Sequence, residues 1–153
     1  MSKNLYLMVG IAGSGKSTWL KNNAKGIVIS RDAIRFSMIT DSDEYFARED
    51  EVYKKFIEEI NYALVDNNNV YADATNLTGK SRNRLLSNLN LNGVDVNIIF
   101  INTPVEKCIE QNSRREGRAK VAESVIYNQY NQLVKPSYNE RYKYKNILEV
   151  VYD

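Results

Sequence analysis

The sequence predicts an α/β protein: a three-layer α/β/α sandwich around a central, mostly parallel sheet of four or five strands. Three observations carry that expectation. Short apolar runs alternate with segments of helical periodicity along the whole chain, the order that builds a parallel sheet covered on both faces. The first run, Leu5 to Val9, leads straight into a glycine-rich stretch and then into a helix-forming one. No apolar run is longer than a strand, so nothing reads as membrane-spanning.

Taken in order, Leu5 to Val9 is continuously apolar, the pattern of a strand buried on both faces. Lys16 to about Ala24 reads as the first helix and Gly26 to Ser30 as the second strand. Arg31 to Thr40 carries Ile34, Met38 and Ile39 as a short helix, with Ser30 placed to cap it. Asp41-Ser42-Asp43 breaks the chain, after which Phe46, Val52, Phe56, Ile57, Ile60 and Leu64 mark one face of a long amphipathic helix. Val70 to Ala72 is a third strand opening onto Asp73. Leu77 to Asn92 is predicted helical with Gly93 as its stop, and Val94 to Ile101 is a fourth strand. Pro104 falls in the first turn of the next helix, where its missing N–H costs nothing. That helix runs toward Arg114 and gives way to a polar, basic loop. Val121 to Val134 is the last helix, ended by Pro136, and Ile147 to Val151 the last strand.

At 153 residues the chain is expected to form one domain over 1–153, large enough to bury about two thirds of its unfolded surface. Repeats, linkers and low-complexity tracts are absent, and Met1-Ser2-Lys3 precedes the first strand without a signal-peptide core, so a cytoplasmic location is expected. Cys108 is the only cysteine and there is no histidine. Disulfide frameworks, His-based metal sites and Ser-His-Asp triads are thereby excluded, leaving carboxylates, Lys and Arg for any chemistry. The net charge of +2 is uneven: residues 1–80 carry ten Lys/Arg against eleven Asp/Glu, residues 81–153 eleven against eight. A basic second half suits an anionic partner.

Four motifs carry the chemistry. Gly10-Ile11-Ala12-Gly13-Ser14-Gly15-Lys16-Ser17, followed by Thr18, satisfies G-x-x-x-x-G-K-[ST] between a strand and a helix, the context that defines a phosphate-binding loop. In such loops the backbone N–H groups of residues like Ala12, Gly13, Ser14 and Gly15 wrap a phosphate. Lys16 would reach the β/γ-phosphates of ATP or another NTP, and the Ser17 hydroxyl would ligate Mg²⁺. "SRDAIR" at the end of the second strand places Asp32 one helical turn before Arg35. A carboxylate can orient an acceptor hydroxyl and take its proton, while a cation can hold the acceptor's own phosphate. The same residues also suit an ordinary helix N-terminus. Asp73 in "VYADATN" stands where phosphate-loop proteins keep an acid near the metal, with Thr75 and Asn76 as competing helix caps. "NSRREGRAK", Asn112 to Lys120, sets four basic residues and one acid between two helices; it is expected to form a basic lid over about 112–121, with Arg115 stabilising charge on the migrating phosphoryl group. Trp19, Leu20 and Cys108 are read as core, and the eleven tyrosines are scattered.

The phosphate loop followed by "STW", then "SRDAIR", "DATN" and "NSRR" in that order, resembles the 5′-hydroxyl polynucleotide kinases, notably the kinase part of phage polynucleotide kinase/phosphatases. The similarity runs from about Leu5 to Glu140. It implies a P-loop kinase fold and transfer of the γ-phosphate of ATP, with Mg²⁺, to the 5′-OH of single-stranded or nicked DNA or RNA in end healing. It further implies that Asp32 is the general base and that Arg35 contacts the acceptor's 3′ phosphate. Lys16, Ser17, Asp73 and Arg115 would serve the donor phosphates and metal, with the lid alignment allowing a shift onto Arg114. The chain departs from the family pattern at Gln111, often Arg, and at Ala122, commonly Pro, and no phosphatase nucleophile motif is present. A small-molecule kinase of the same fold and a non-catalytic nucleotide switch are the competing readings. DNA or RNA preference and homo-oligomerisation stay open.

Overall fold

The computed structural model describes residues 2–40 and 42–152. Met1, Asp41 and Asp153 lie outside the described residues, so the break expected at Asp41–Asp43 is seen only from Ser42 onward. Five strands form the sheet: β1 (Lys3–Val9), β2 (Ile27–Ser30), β3 (Asn69–Asp73), β4 (Val94–Asn102) and β5 (Asn146–Val151). Their order is β2-β3-β1-β4-β5, and every pairing is parallel. The helices are α1 (Lys16–Asn23), α2 (Arg31–Met38), α3 (Glu49–Asp66), α4 (Gly79–Ser87), α5 (Val105–Ser113) and α6 (Glu123–Gln132).

Two-residue alternation along the central strand sorts the core into layers. Leu5, Leu7 and Val9 of β1 pack with Phe56, Ile60 and Leu64 of α3 and Leu85 and Leu86 of α4. Met8, between them in sequence, faces the other way onto Leu20 of α1, with Ile99 and Ile101 of β4 and half-buried Trp19 beside it. Trp19 and Leu20 are thus core-side residues, as expected. A third cluster joins Ile11 of the phosphate loop to Val105 and Cys108 of α5 and Ile126 of α6. The Cys108 thiol is fully buried and burial pushes its pKa up to about 11, which fits an inert core residue.

Several helix ends differ from the sequence expectation, each for a side-chain reason. The predicted Leu77–Asn92 helix begins only at Gly79, because Thr78 and Ser81 form a reciprocal capping box. It stops at Ser87, where the Asn88 amide donates to the Arg84 carbonyl at 2.8 Å; Gly93, with φ 74, turns the chain into β4. The predicted Val121–Val134 helix loses both ends. The Val121 N–H is taken by the Asn112 side chain at 3.0 Å and the Val134 N–H by the Leu77 carbonyl at 2.8 Å. Ser30 caps α2 as expected, accepting from the Ala33 N–H, whereas Pro104 precedes α5 as its cap residue instead of entering its first turn. Phe46 lies in a turn before α3 and is exposed. No helix among the described residues is long and apolar enough to cross a membrane.

The chain leaves β1 toward β2 and leaves β3 toward β4, on opposite sides of the β1/β3 pair. Such a switch point opens a crevice at the carboxyl ends of the strands. The phosphate loop after β1 and Asp73 at the end of β3 therefore meet there.

Candidate active site

The phosphate loop is stitched to the turn after β3. The Gly10 N–H donates to the Thr75 carbonyl at 3.1 Å, and the Asn76 amide donates to the Met8 carbonyl at 2.7 Å. Asn76 holds φ 46, a left-handed conformation that Asn tolerates better than most residues; it is a stitch, and Thr78 is the cap. Gly13, at φ 80, sits so close to α5 that a Cβ would lie 2.3 Å from the Cys108 carbonyl oxygen. Only glycine fits. Two of the loop's carbonyls are taken outside the crevice: Gly13 O accepts from Gln111 at 3.0 Å and Ser14 O from Thr103 at 2.7 Å. Among the described residues the N–H groups of Gly13, Gly15, Lys16, Ser17 and Thr18 take no protein acceptor, and α1 has neither a side-chain cap nor an acid in its first turn. Orphan donors at a helix start form an anion site. The buried Ser14 hydroxyl also lacks a partner.

Lys16 lies against this loop, its Nζ donating to the Gly10 and Ile11 carbonyls at 2.9 and 3.2 Å. Burial lowers its pKa, opposed by Asp73 and Asp32. Burial likewise raises the Asp73 pKa, with Lys16 opposing. Lys16 and Asp73 thus oppose each other's shifts, and Asp32 and Arg115 are near enough to act on both. Because the folded Asp73 pKa stands above its ordinary value of 3.8, stability falls as pH rises through that window, and the ionised carboxylate costs stability above it. Asp73→Asn is therefore expected to raise the thermal midpoint at neutral pH, with the gain vanishing in acid; an unchanged or lowered midpoint at neutral pH contradicts this.

Across the cavity, Arg31 and Arg35 of α2 both pair with Glu49 at the start of α3. Arg35 is 4% exposed. Its Nε donates to Glu49 at 3.1 Å, its Nη2 to both Glu49 oxygens at 2.7 and 2.9 Å, and its Nη1 to Asp32 and, at 3.1 Å, to the Tyr45 hydroxyl. All its nitrogens are engaged, so contact with an acceptor phosphate would require exchanging a partner. Asp32 is more than half exposed, and among the described residues only its Oδ1 is engaged, by Arg35 and by the Tyr45 hydroxyl at 2.7 Å. Burial and Asp32 raise the Tyr45 pKa, keeping its phenol a donor.

Between α5 and α6 the expected lid closes at its base, where the Asn112 amide donates to the Val121 carbonyl at 2.7 Å and its Oδ1 accepts from the Val121 N–H. A single 3₁₀ turn, Gly117–Ala119, forms its middle. Arg118 reaches across to the Ile39 carbonyl at 2.9 Å and stacks on Phe36, docking the lid onto α2. Arg115 lines the cavity, while Arg114 pairs with Glu110 on the surface. Ala122, where the kinases that the sequence resembles commonly have Pro, has φ −67, a value that proline also takes. Gln111, the other departure, braces the loop through Gly13.

One cavity of about 680 Å³ gathers Ala12, Gly13, Ser14, Gly15, Lys16, Ser17, Asp32, Arg35, Asp73 and Arg115. Gly10 lies outside its wall and Thr18 is exposed on α1. Sequence reasoning missed Tyr45, Phe46, Glu49 and Gln129, which also line it. Gln129 of α6 accepts the Ala12 N–H at 2.8 Å, and no local pattern announces a partner so distant in sequence. The only sequence signal for Glu49 was an acid in the first turn of a long helix.

A wholly parallel five-stranded sheet with a phosphate loop at its switch point defines a P-loop kinase α/β fold. The family model described as AAA domain matches residues 5–136, and the chain belongs to that family. It is 25% identical over 154 aligned residues to a protein of Autographa californica nuclear polyhedrosis virus named as a bifunctional polynucleotide kinase/RNA ligase. That alignment covers 92% of this chain and 22% of the viral protein. Among solved structures, a chain of the Pnkp1/Rnl/Hen1 RNA repair complex matches with a TM-score of 0.72 and 24% identity, over 86% of this chain and 44% of that one. A sugar kinase from Janibacter sp. HTCC2649 matches with a TM-score of 0.64 and 18% identity, over 99% and 86%. The chain thus spans less than half the length of the viral protein and of the matched chain of the Pnkp1/Rnl/Hen1 complex.

Proposed function

We propose that the protein is a polynucleotide 5′-hydroxyl kinase, transferring the γ-phosphate of ATP to the 5′-OH end of a DNA or RNA strand. The observation that carries this reading is the Asp32 carboxylate, held through one oxygen by Tyr45 and Arg35 and sharing one cavity with the phosphate loop. The viral relative's name supports the same acceptor class.

The residues of the loop fit a nucleotide triphosphate: unpartnered N–H groups at the start of α1, an unpartnered Ser14 hydroxyl and a Gly13 position with no room for a side chain. Ser17 and Asp73 offer hard oxygen donors beside it, the kind Mg²⁺ takes when phosphates supply its other ligands. Bound there, Mg²⁺ would neutralise charge on the donor phosphates. Lys16 would exchange its loop carbonyls for phosphate oxygens, and Arg115 would add positive charge from the lid. Asp32 would orient the 5′-hydroxyl and accept its proton as the new O–P bond forms and the bond from the γ-phosphorus to the β–γ bridging oxygen breaks, releasing ADP.

The test is a panel of acceptors with labelled ATP: a 5′-OH oligonucleotide against nucleosides and sugars. The strand is expected to be labelled with the highest kcat/KM. Labelling of a sugar or nucleoside with the oligonucleotide left unlabelled would assign the site to a small-molecule kinase instead.

A further inference from the structure

A second groove, of about 280 Å³, lies between α3 and α4 and shares Arg31, Thr75, Leu77 and Gln132 with the wall of the main cavity. We propose that this groove is a subsite for backbone phosphates of the acceptor strand beyond its first nucleotide, with Lys80 and Arg84 of α4 and Arg31 of α2 as its cations. The proposal rests on the reading of the acceptor as a polynucleotide.

Charge is the first argument. Arg31, Lys80 and Arg84 line the groove, and among the described residues no Asp or Glu does. Lys80 and Arg84 are four residues apart on one helix, a spacing at which like charges repel. A solvated helix face gains nothing from that pairing, whereas an anion lying between α3 and α4 would relieve it. Arg84 makes no ion pair among the described residues; its guanidinium lies 4.4 Å from the centre of the Tyr53 ring. Arg31 stacks on the same ring at 4.9 Å. Tyr53 therefore holds two cations at the groove that would otherwise point into solvent. The Arg31 Nε is buried without a partner although its Nη2 pairs with Glu49.

Position is the second argument. Arg31 lines both the groove and the main cavity that holds Asp32, so the two spaces adjoin on the side of that acid. Arg35, the cation nearest that acid, already has partners on all its nitrogens, and Lys16 and Arg115 stand on the donor side. Phosphates along an entering strand need other cations, and a positive groove that tracks a backbone is how single strands are held without reading sequence.

The test compares wild type with Lys80→Ala/Arg84→Ala in steady-state transfer to a nucleoside 3′-phosphate and to a 5′-OH oligonucleotide of about ten nucleotides. Both side chains are exposed, so the thermal midpoint should not move. For the oligonucleotide, KM is expected to rise roughly tenfold with kcat unchanged, and the slope of log KM against log salt to lose about 0.7 per contact removed. The KM of the nucleoside 3′-phosphate should stay as it is, and Arg84→Lys should restore most of the oligonucleotide's. An unchanged oligonucleotide KM, or an equal loss on both acceptors, overturns the subsite. Should wild type phosphorylate no strand at all, the functional reading fails, and anisotropy of a fluorescent oligonucleotide decides the groove alone. Salt-dependent binding that the double variant loses supports it; absent or unaltered binding refutes it.

Discussion

Asp32→Asn is expected to lower phosphoryl transfer by about 10²–10⁴-fold, the contribution of a positioned general base, while ATP binding persists. The change is isosteric. An asparagine carbonyl can still accept from Tyr45 and Arg35 as the Asp32 Oδ1 does, so the network and the lid stay in place. What is lost, on the proposed mechanism, is the carboxylate that takes the hydroxyl proton. Asp32 is exposed and, among the described residues, makes no hydrogen bond to the phosphate loop; its charge reaches Lys16 only through space, so the loop keeps its bonds and nucleotide binding should persist. Rate measurements paired with nucleotide titration separate the two effects. An equal loss of nucleotide affinity would reassign Asp32 from chemistry to architecture, and full retention of rate would remove it from the mechanism.

Arg82→Ala is expected to cost about 3–5 kcal/mol, the consequence of stranding one partner of a buried ion pair; for a domain of this size that is a fall of about 6–20 °C in thermal midpoint. Arg82 is fully buried. It forks onto Glu140 at 3.0 and 2.8 Å and donates to the Asn76 carbonyl at 2.7 Å and the Val134 carbonyl at 3.1 Å. A single guanidinium thus ties the turn that stitches the phosphate loop to the segment leading into β5. Burial pushes the Glu140 pKa up, but Arg82, the Tyr144 hydroxyl and the Ser137 N–H outweigh it, and the net shift is downward. Its stabilising contribution is therefore present above the ordinary 4.5 and is lost as pH falls through the folded value. Thermal unfolding against pH reads both effects: the variant should lose midpoint at neutral pH and show a weaker dependence on the acid side. A loss below about 1 kcal/mol would mean that the pair had been worth no more than an exposed one.

The donor half of the site was legible in the sequence because it is local. Strand, glycines, lysine and helix follow one another, and the apolar spacing of β1 and α3 fixed their buried faces. What could not be read was the work of partners far apart in the chain. Leu77 ends α6 early by taking the Val134 N–H that a longer helix would have used, and Asn112 holds Val121 to α5 ahead of the helix start. Arg35 lines the cavity as the spacing from Asp32 suggests, but its pairing with Glu49, fourteen residues on, has no local signal. Asn76 looked like a helix cap, but its φ of 46 and its bond to Met8 depend on β1 lying beside β3. Gln129 meets Ala12 only because α6 folds back over the loop.

The central claim is that the phosphate goes to a strand's 5′ end. Two otherwise identical oligonucleotides, one ending in a 5′-hydroxyl and one already 5′-phosphorylated, test it with labelled ATP. Label should enter the first alone, at its 5′ terminus. Equal labelling of both strands, or of neither, would contradict the claim.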